Sequence, residues 1–488
     1  MDTSNTQKAI RGMSSQTVVT IVLGIVEIVT FSIMSRLLSQ DDFGYYASIS
    51  AIVTVFACFS DAGIGSAIIQ RKDTTQRFIN VAFTVSFICG SLAMGLLLLL
   101  SAPLAETFIS KNMTIPLMLT SVTLLGNCLT SVNTSIMYRK LEFLKVGIIN
   151  LISLAITSFV AIILAYKGLG YYSILVKAVL YSILTYIISL YACKTHLRFC
   201  WDKDIFKDIL SFSGWLTLSG FFRDLANQMD RLLMSRLLSV TDLGAYNRPK
   251  EFISSISGKI SGVFDTALFP VLSQIQNDKE STRNAYLRSL YLLNLASMVL
   301  ALLFVFNGRL LIRVFFGEEW MSVLPIFQVL SISVIFSFDA RLADCYFRSL
   351  GWTKQQFFFR IFEVMIKFIG VILGYRWGAL GIAVSVLATN IITVMVKHFY
   401  IGEHLGVPIT KGISILLESC QISMISIPLL ILTFILMPDT LIGDLLFAAV
   451  NFVWFSTAFV FAPSIVGRRY RNSDYKQIKS IISKKLKI

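Results

Sequence analysis

Met34-Ser-Arg-Leu-Leu-Ser-Gln-Asp-Asp-Phe-Gly-Tyr-Tyr46 returns two hundred residues later as Met234-Ser-Arg-Leu-Leu-Ser-Val-Thr-Asp-Leu-Gly-Ala-Tyr246, with nine of thirteen positions identical. Each copy joins the end of one long apolar run to the start of the next. A helix-loop-helix joint that recurs in so apolar a chain points to a transporter built from two similar lobes.

The 488 residues are 55% hydrophobic and only 15% charged, with a mean hydropathy of +0.73. A soluble domain carries about a quarter charged residues. The apolar runs reach the roughly 20 residues that carry a helix across about 30 Å of hydrocarbon. This composition specifies an all-α integral membrane protein. The net charge of +15 sits in short clusters between apolar runs and in the C-terminal tail, as the positive-inside rule requires, so nucleic acid is not an expected partner. The seven cysteines lie mostly inside apolar runs with no C-x-x-C, and only His196, His398 and His404 accompany them. No metal site or cofactor is expected from such a set. Lys8 and Arg11 precede an apolar run too long for a signal-peptide core, so the first helix is expected to stay as the first span.

The hydropathy pattern predicts about 14 transmembrane helices, near 15–38, 43–69, 78–102, 116–138, 144–166, 171–193, 208–238, 243–274, 286–306, 322–348, 355–375, 378–401, 412–437 and 441–466. Connections are short, and none holds room for a soluble catalytic domain. Cations set the orientation. With the N-terminus cytoplasmic, the inside loops hold Arg71, Lys72 and Arg77, then Arg139, Lys140 and Lys145, then Lys194, Arg198, Lys203 and Lys207. Lys279, Arg283 and Arg288, then Arg348, Lys354 and Arg360, then Lys397 and Lys411 continue the series. The outside holds fewer, among them Arg36, Lys111, Lys167, Arg248 and Arg313. Both termini and every histidine are expected on the cytoplasmic side.

The duplication extends past the joint. Asp61 precedes Gln70 as Asp265 precedes Gln274; Arg139–Lys145 resembles Arg348–Lys354; and Ile163–Gly170 resembles Ile372–Gly381. Spans 1–6 therefore repeat as spans 7–12, two parallel six-helix lobes about an axis along the membrane normal, with two extra C-terminal helices. The expected division is an N-lobe over 1–200, a C-lobe over 201–405, spans 13–14 over 406–467 and a basic amphipathic tail over 468–488. Tyr475, Ile478, Ile482 and Leu486 line one face of that tail, which suits anionic lipids of the cytoplasmic leaflet.

Ionisable residues inside the predicted spans cost roughly 2.5–3.5 kcal/mol each at the midplane, so they must face one another or a hydrated lumen. Arg223, Asn227, Asp230 and Arg231 recur at helical spacing, as do Glu251, Ser255, Gly258 and Asp265, and Ser337, Arg341 and Asp344. Arg223 with Asp230 and Arg341 with Asp344 are the ion pairs a purely structural reading predicts. Read functionally, Arg223, Arg231, Lys250, Lys259 and Arg341 suit an anionic substrate. Glu27 and Asp61, isolated in apolar surroundings, and Asp265, the repeat counterpart of Asp61, suit a coupling H+ or Na+.

Ser35-Arg-Leu-Leu-Ser-Gln-Asp-Asp-Phe-Gly-Tyr-Tyr-Ala47, followed by Asp61-Ala-Gly-Ile-Gly-Ser-Ala-Ile-Ile-Gln-Arg-Lys-Asp73, resembles the polysaccharide-transport branch of the multidrug/oligosaccharidyl-lipid/polysaccharide (MOP) flippase superfamily. Within it the chain is most similar to Wzx-type exporters of colanic acid, teichuronic acid and other lipopolysaccharide-related units. The resemblance covers essentially the whole chain. It implies a V-shaped two-lobed fold and a flippase, not an enzyme. The implied cargo is an undecaprenyl-diphosphate-linked oligosaccharide repeat unit, moved from the cytoplasmic to the periplasmic leaflet of a bacterial inner membrane by ion-coupled alternating access. Polysaccharide polymerase and export proteins are the implied partners. Two rivals remain: an ion-coupled small-molecule exporter of the same superfamily, which the many cations disfavour for cationic drugs, and a membrane-embedded glycan polymerase, which would need a larger outer loop than that near 307–321.

Overall fold

A computed structural model describes residues 3–61, 63–70, 75–194, 197–408, 410, 412, 414, 415, 417 and 443–451. The expected basic tail lies outside these residues, as does most of spans 13 and 14. Fourteen α-helices up to Leu405 are described, and no strand. They are α1 (Thr3–Leu37), α2 (Gln40–Asp61), α3 (Ile64–Gln70), α4 (Gln76–Phe108), α5 (Thr114–Arg139), α6 (Phe143–Tyr166) and α7 (Tyr172–Cys193). There follow α8 (Lys203–Leu237), α9 (Val240–Ile275), α10 (Lys279–Phe306), α11 (Gly308–Phe315), α12 (Leu324–Ser349), α13 (Thr353–Gly374) and α14 (Gly378–Leu405). A further helix covers 443–451.

Each of expected spans 1–12 falls on one long helix, with one break. Span 2 ends early: α2 stops at Asp61, and Gly63 (φ 65°) turns the chain into the short α3. A left-handed residue at that position strongly favours glycine. Among the described residues, eight stretches are long and apolar enough to cross a membrane. The helices also outrun the hydropathy windows. The 36 residues of α9 extend about 54 Å at ~1.5 Å per residue, well past a hydrocarbon slab of about 30 Å. Residues expected in loops therefore often lie on helix ends. The expected outer loop near 307–321 is itself α11 and a 3-10 turn, Glu318–Val323.

Backbone contacts divide the chain into two compact units. One holds Met1–Arg248, Phe315–Gly317 and Phe357–Ser385; the other holds Pro249–Val314, Glu318–Gln356 and Val386–Ile488. In the first, α4 packs on α5, α5 on α7, α1 on α6 and α2 on α8. Ile49, Leu97, Leu117, Leu124 and Leu175 form one fully buried cluster, and Val81, Ala82, Val132 and Met137 belong to another. Small polar residues stitch these faces together. Cys128 Sγ donates to the Ser86 carbonyl at 3.0 Å, and Asn133 Nδ2 donates to Ser189 Oγ at 3.0 Å. Small side chains let apolar helices approach closely where lipid offers no hydrophobic drive. In the second unit α10 packs on α12, with Phe252, Phe304 and Phe327 in mutual ring contact.

Both copies of the repeated joint lie in the first unit, and the repeat is legible in their hydrogen bonds. Ser39 Oγ donates to Asp42 Oδ2 at 2.8 Å and accepts from the Asp42 amide at 3.2 Å. Ser239 and Asp242 repeat the exchange at 2.6 and 3.0 Å. This reciprocal cap starts α2 and α9, and it accounts for two of the identical residues in each copy. The glycines account for a third. A β-carbon on Gly44 would collide with the Val240 carbonyl, and one on Gly244 would collide with the Gln40 carbonyl. Val240 stands at the position equivalent to Gln40, so the two contacts are mutual, with the first turns of α2 and α9 touching backbone to backbone. Thr241 Oγ1 donates to Asp41 Oδ1 at 2.5 Å across the same contact. Arg248, expected on an outside loop, is instead buried in α9. It donates to Ser35 Oγ at 2.8 Å and to the Phe31 carbonyl at 2.7 Å, and lies over the Phe31 and Phe43 rings.

Candidate functional site

On α8 the charges pair locally. Arg223 donates through Nε (2.8 Å) and Nη2 (3.2 Å) to Asp224, which also accepts from Cys58 Sγ of α2 at 3.1 Å. The expected Arg223–Asp230 pair does not form. Two helical turns separate the two residues, and the Asp230 carboxylate is taken by the Tyr246 hydroxyl and the Arg231 amide. Arg231 donates from Nη1 to Gln228 at 3.2 Å, while its buried Nε has no hydrogen-bond partner among the described residues. A guanidinium with a donor to spare is a fitting partner for a phosphate oxygen.

The first unit also holds a buried ionic cluster on α13 that sequence reading did not assemble. Glu363 accepts from Arg360 at 2.9 Å and from Lys367 at 3.1 Å, with the three side chains about a tenth exposed (10%, 9% and 11%). Lys367 Nζ also donates to the Ala226 carbonyl of α8 at 3.3 Å. Arg360 was expected in a cytoplasmic loop; it lies within α13 because that helix starts at Thr353. The signal was present as Arg-x-x-Glu-x-x-x-Lys inside an apolar run, the i, i+3 and i+4 spacing of neighbours on one helix face. Glu27 on α1 is half-buried and close enough to Tyr181 of α7 to interact with it electrostatically. Asp61 ends α2, and its side chain lies outside the described residues.

In the second unit, Lys250 is half-buried and Lys259 exposed on α9. The neighbouring Gly258 leaves room for Arg341, whose Nη2 would stand 3.6 Å from a β-carbon there. Arg341 lines a cleft with Ser261, Asp265, Phe338 and Cys345. Asp265, expected as a coupling acid, is held by Arg348 Nη2 at 2.7 and 2.8 Å. The expected Arg341–Asp344 pair does not form either. Asp344 accepts at 3.2 Å from Lys397, a fully buried cation on α14 that was expected in a cytoplasmic loop. His398, also expected on the cytoplasmic side, is half-buried in α14, with Nδ1 2.6 Å from the Tyr286 hydroxyl. Arg341 makes no ion pair among the described residues. The structure thus brings α9, at Gly258, beside Arg341 of α12 in the second unit, and sets Arg223 and Arg231 on one helix of the first.

The family described as "Polysaccharide biosynthesis protein" matches residues 33–325, more than half of the chain. The chain belongs to this polysaccharide biosynthesis protein family. The matched stretch starts one residue before the first joint and includes both copies, so it contains both glycine contacts. A relative, the lipopolysaccharide biosynthesis protein WzxC of Escherichia coli strain K12, is 21% identical over 407 residues, 80% of each chain. The teichuronic acid biosynthesis protein TuaB of Bacillus subtilis strain 168 is 25% identical over 67% of this chain and 68% of its own. Among solved structures, the lipid II flippase MurJ in an inward closed conformation is similar with a TM-score of 0.71, covering 91% of this chain and 98% of that one at 15% identity. That last likeness is one of fold. The resemblance to Wzx-type exporters read from the sequence holds.

Proposed function

We propose that this chain is a flippase that moves an undecaprenyl-diphosphate-linked oligosaccharide repeat unit from the cytoplasmic to the periplasmic leaflet of a bacterial inner membrane. The movement proceeds by alternating access between the two repeats, coupled to H+ or Na+. The reading is supported by relatives named as lipopolysaccharide and teichuronic acid biosynthesis proteins, and by the fold shared with a lipid II flippase. The observation that carries the reading is a pair of arginines on helices of a membrane protein: Arg231, whose buried Nε has no partner among the described residues, and Arg341, which lines a cleft. A diphosphate crossing a low-dielectric slab needs fixed donors in place of water, and binding weak enough for release.

Arg231→Ala and Arg341→Ala are each expected to lower export about tenfold or more, because a hydrogen bond to a charged group contributes roughly 1.5–3 kcal/mol. Protein levels should stay near normal, and Arg→Lys should rescue only in part. The test is complementation of an exporter-deficient strain alongside immunoblotting of membranes. Complementation equal to the parent protein would remove these arginines from the substrate path.

The orientation proposed has both termini in the cytoplasm. Lys111→Cys, between α4 and α5, should then react with an impermeant maleimide added outside intact cells. Reaction only after the cytoplasm is opened would invert the topology. Glu27 and Asp61 remain proposed coupling groups. Asp265 is a weaker one, since its carboxylate is already held by Arg348.

A further inference from the structure

Among the described residues of the second unit, Asp339 is a buried acid with no ion pair. Asp339 on α12 is 1% exposed, and so is Asn294 on α10. Asn294 Nδ2 donates to Asp339 Oδ1 at 3.0 Å and to the Leu290 carbonyl at 2.9 Å. Both amide hydrogens are therefore used, which fixes the orientation of the carboxamide. Two oxygens are left over. Asp339 Oδ2 and Asn294 Oδ1 are buried and have no hydrogen-bond partner among the described residues.

Two orphaned acceptors on an already bonded pair have a simple chemical reading. A carboxylic acid and a carboxamide pair through two bonds, N–H to O and O–H to O. The first is present. The second requires one proton, on Asp339 Oδ2, and that proton satisfies both orphaned oxygens at once. The alternative, a bare carboxylate in an apolar interior with one donor, carries a penalty of several kcal/mol. A sodium ion fits less well, because two oxygens are too few to replace its hydration shell. The titratable groups that face the pair are Tyr286 of α10, which interacts electrostatically with Asp339, and His398 of α14, bonded to Tyr286. The nearby charges are otherwise matched: Lys397 with Asp344, and Asp265 of α9 with Arg348. Arg341, two residues along α12, opens onto the cleft beside Phe338.

We propose that Asp339 is a proton-binding site of the transport cycle, held in this structure as a carboxylic acid paired with the Asn294 carboxamide. The proton leaves when α10 and α12 shift enough to admit water to the pair, and returns when they close. That role rests on the reading of the chain as a coupled transporter; the protonation itself does not. Neither Asp61 nor Asp265 is needed for it, and the site lies within α10 and α12 rather than at the repeated joint.

The test has two independent arms. Infrared difference spectra of purified protein in lipid, the parent minus Asp339→Asn, should show a protonated carboxyl stretch at neutral pH that shifts in heavy water. An ionised carboxylate band in its place would overturn the proposal. Asn294→Leu should move the same stretch to higher frequency by removing its acceptor, and this decides the matter if Asp339→Asn fails to insert. In vesicles, a pH gradient should drive the parent protein and Asp339→Glu, while Asp339→Asn should move substrate without responding to the gradient. A full gradient response in Asp339→Asn would overturn the coupling role. If the parent protein moves no lipid-linked sugar, the proposed function fails, and the infrared result still decides whether Asp339 holds a proton.

Discussion

Gly244→Val is expected to remove most of the folded protein from the membrane. The added β-carbon would meet the Gln40 carbonyl, a backbone atom at the start of α2 that cannot rotate aside. Overpacking a tight contact costs about 1–3 kcal/mol when side chains can adjust, and here the neighbour is backbone, so the cost lies at or above the top of that range. Domain stabilities are about 5–15 kcal/mol, so such a loss is large. Gly44→Val should do the same through Val240, since the two contacts are mutual. Gly95 on α4 has nothing within 4 Å of its would-be β-carbon, and Gly95→Ala is the matched control. The readout is the monodisperse peak of a fluorescent fusion after detergent extraction, with its midpoint on heating. A Gly244→Val protein as abundant and as heat-stable as Gly95→Ala would show that the joint does not hold the two copies together.

The second large effect is expected at Glu363. Replacing it with leucine leaves Arg360 and Lys367 buried with no acid between them. Breaking a buried pair by removing one partner costs about 3–5 kcal/mol, whereas replacing every member with apolar residues of similar volume is often neutral. Glu363→Leu should therefore lower the unfolding midpoint sharply. Adding Arg360→Met and Lys367→Met to it should recover most of the loss. This series separates two roles. A stable triple variant that still exports makes the cluster a helix-packing device. A stable triple variant that fails to export places the α13 cations on the substrate path with Arg223 and Arg231. An unperturbed midpoint in Glu363→Leu alone would show that water already reaches the cluster.

The helices were legible in the sequence because one property, apolar length, dominates their energetics in a bilayer. Expected spans 1–12 each found a helix, and only Gly63 broke one in two, a local backbone event that hydropathy averages over. The repeat was legible because its constraints are local as well: Ser39 with Asp42, and Ser239 with Asp242, need fixed spacing to cap a helix. Partner choice among charges was not legible. Arg223 took Asp224, its neighbour on α8, in place of Asp230 two turns away; Asp344 took Lys397 of α14 in place of Arg341 on its own helix, because which partner lies within reach depends on how neighbouring helices are rotated. Arg248, Arg360, Lys397 and His398 were read as loop residues for a different reason. Each falls inside an expected span, 243–274, 355–375 or 378–401, but within about a turn and a half of its end, and a tally of cations by side assigns such residues to the neighbouring loop. Asp339 and Asn294 stood 45 residues apart on separate spans, and nothing in a single sequence joins them.

The central claim is that this chain carries a diphosphate-linked glycan lipid between leaflets. The direct measurement places purified protein in vesicles containing a fluorescent undecaprenyl-diphosphate oligosaccharide and follows the dye pool shielded from an impermeant reductant. Expected is a steady drain of the shielded pool in vesicles with the parent protein, slowed about tenfold or more by Arg231→Ala or Arg341→Ala and absent for a lipid-linked sugar without phosphate. A shielded pool that drains no faster than in protein-free vesicles, or equally fast with and without the diphosphate, would contradict it.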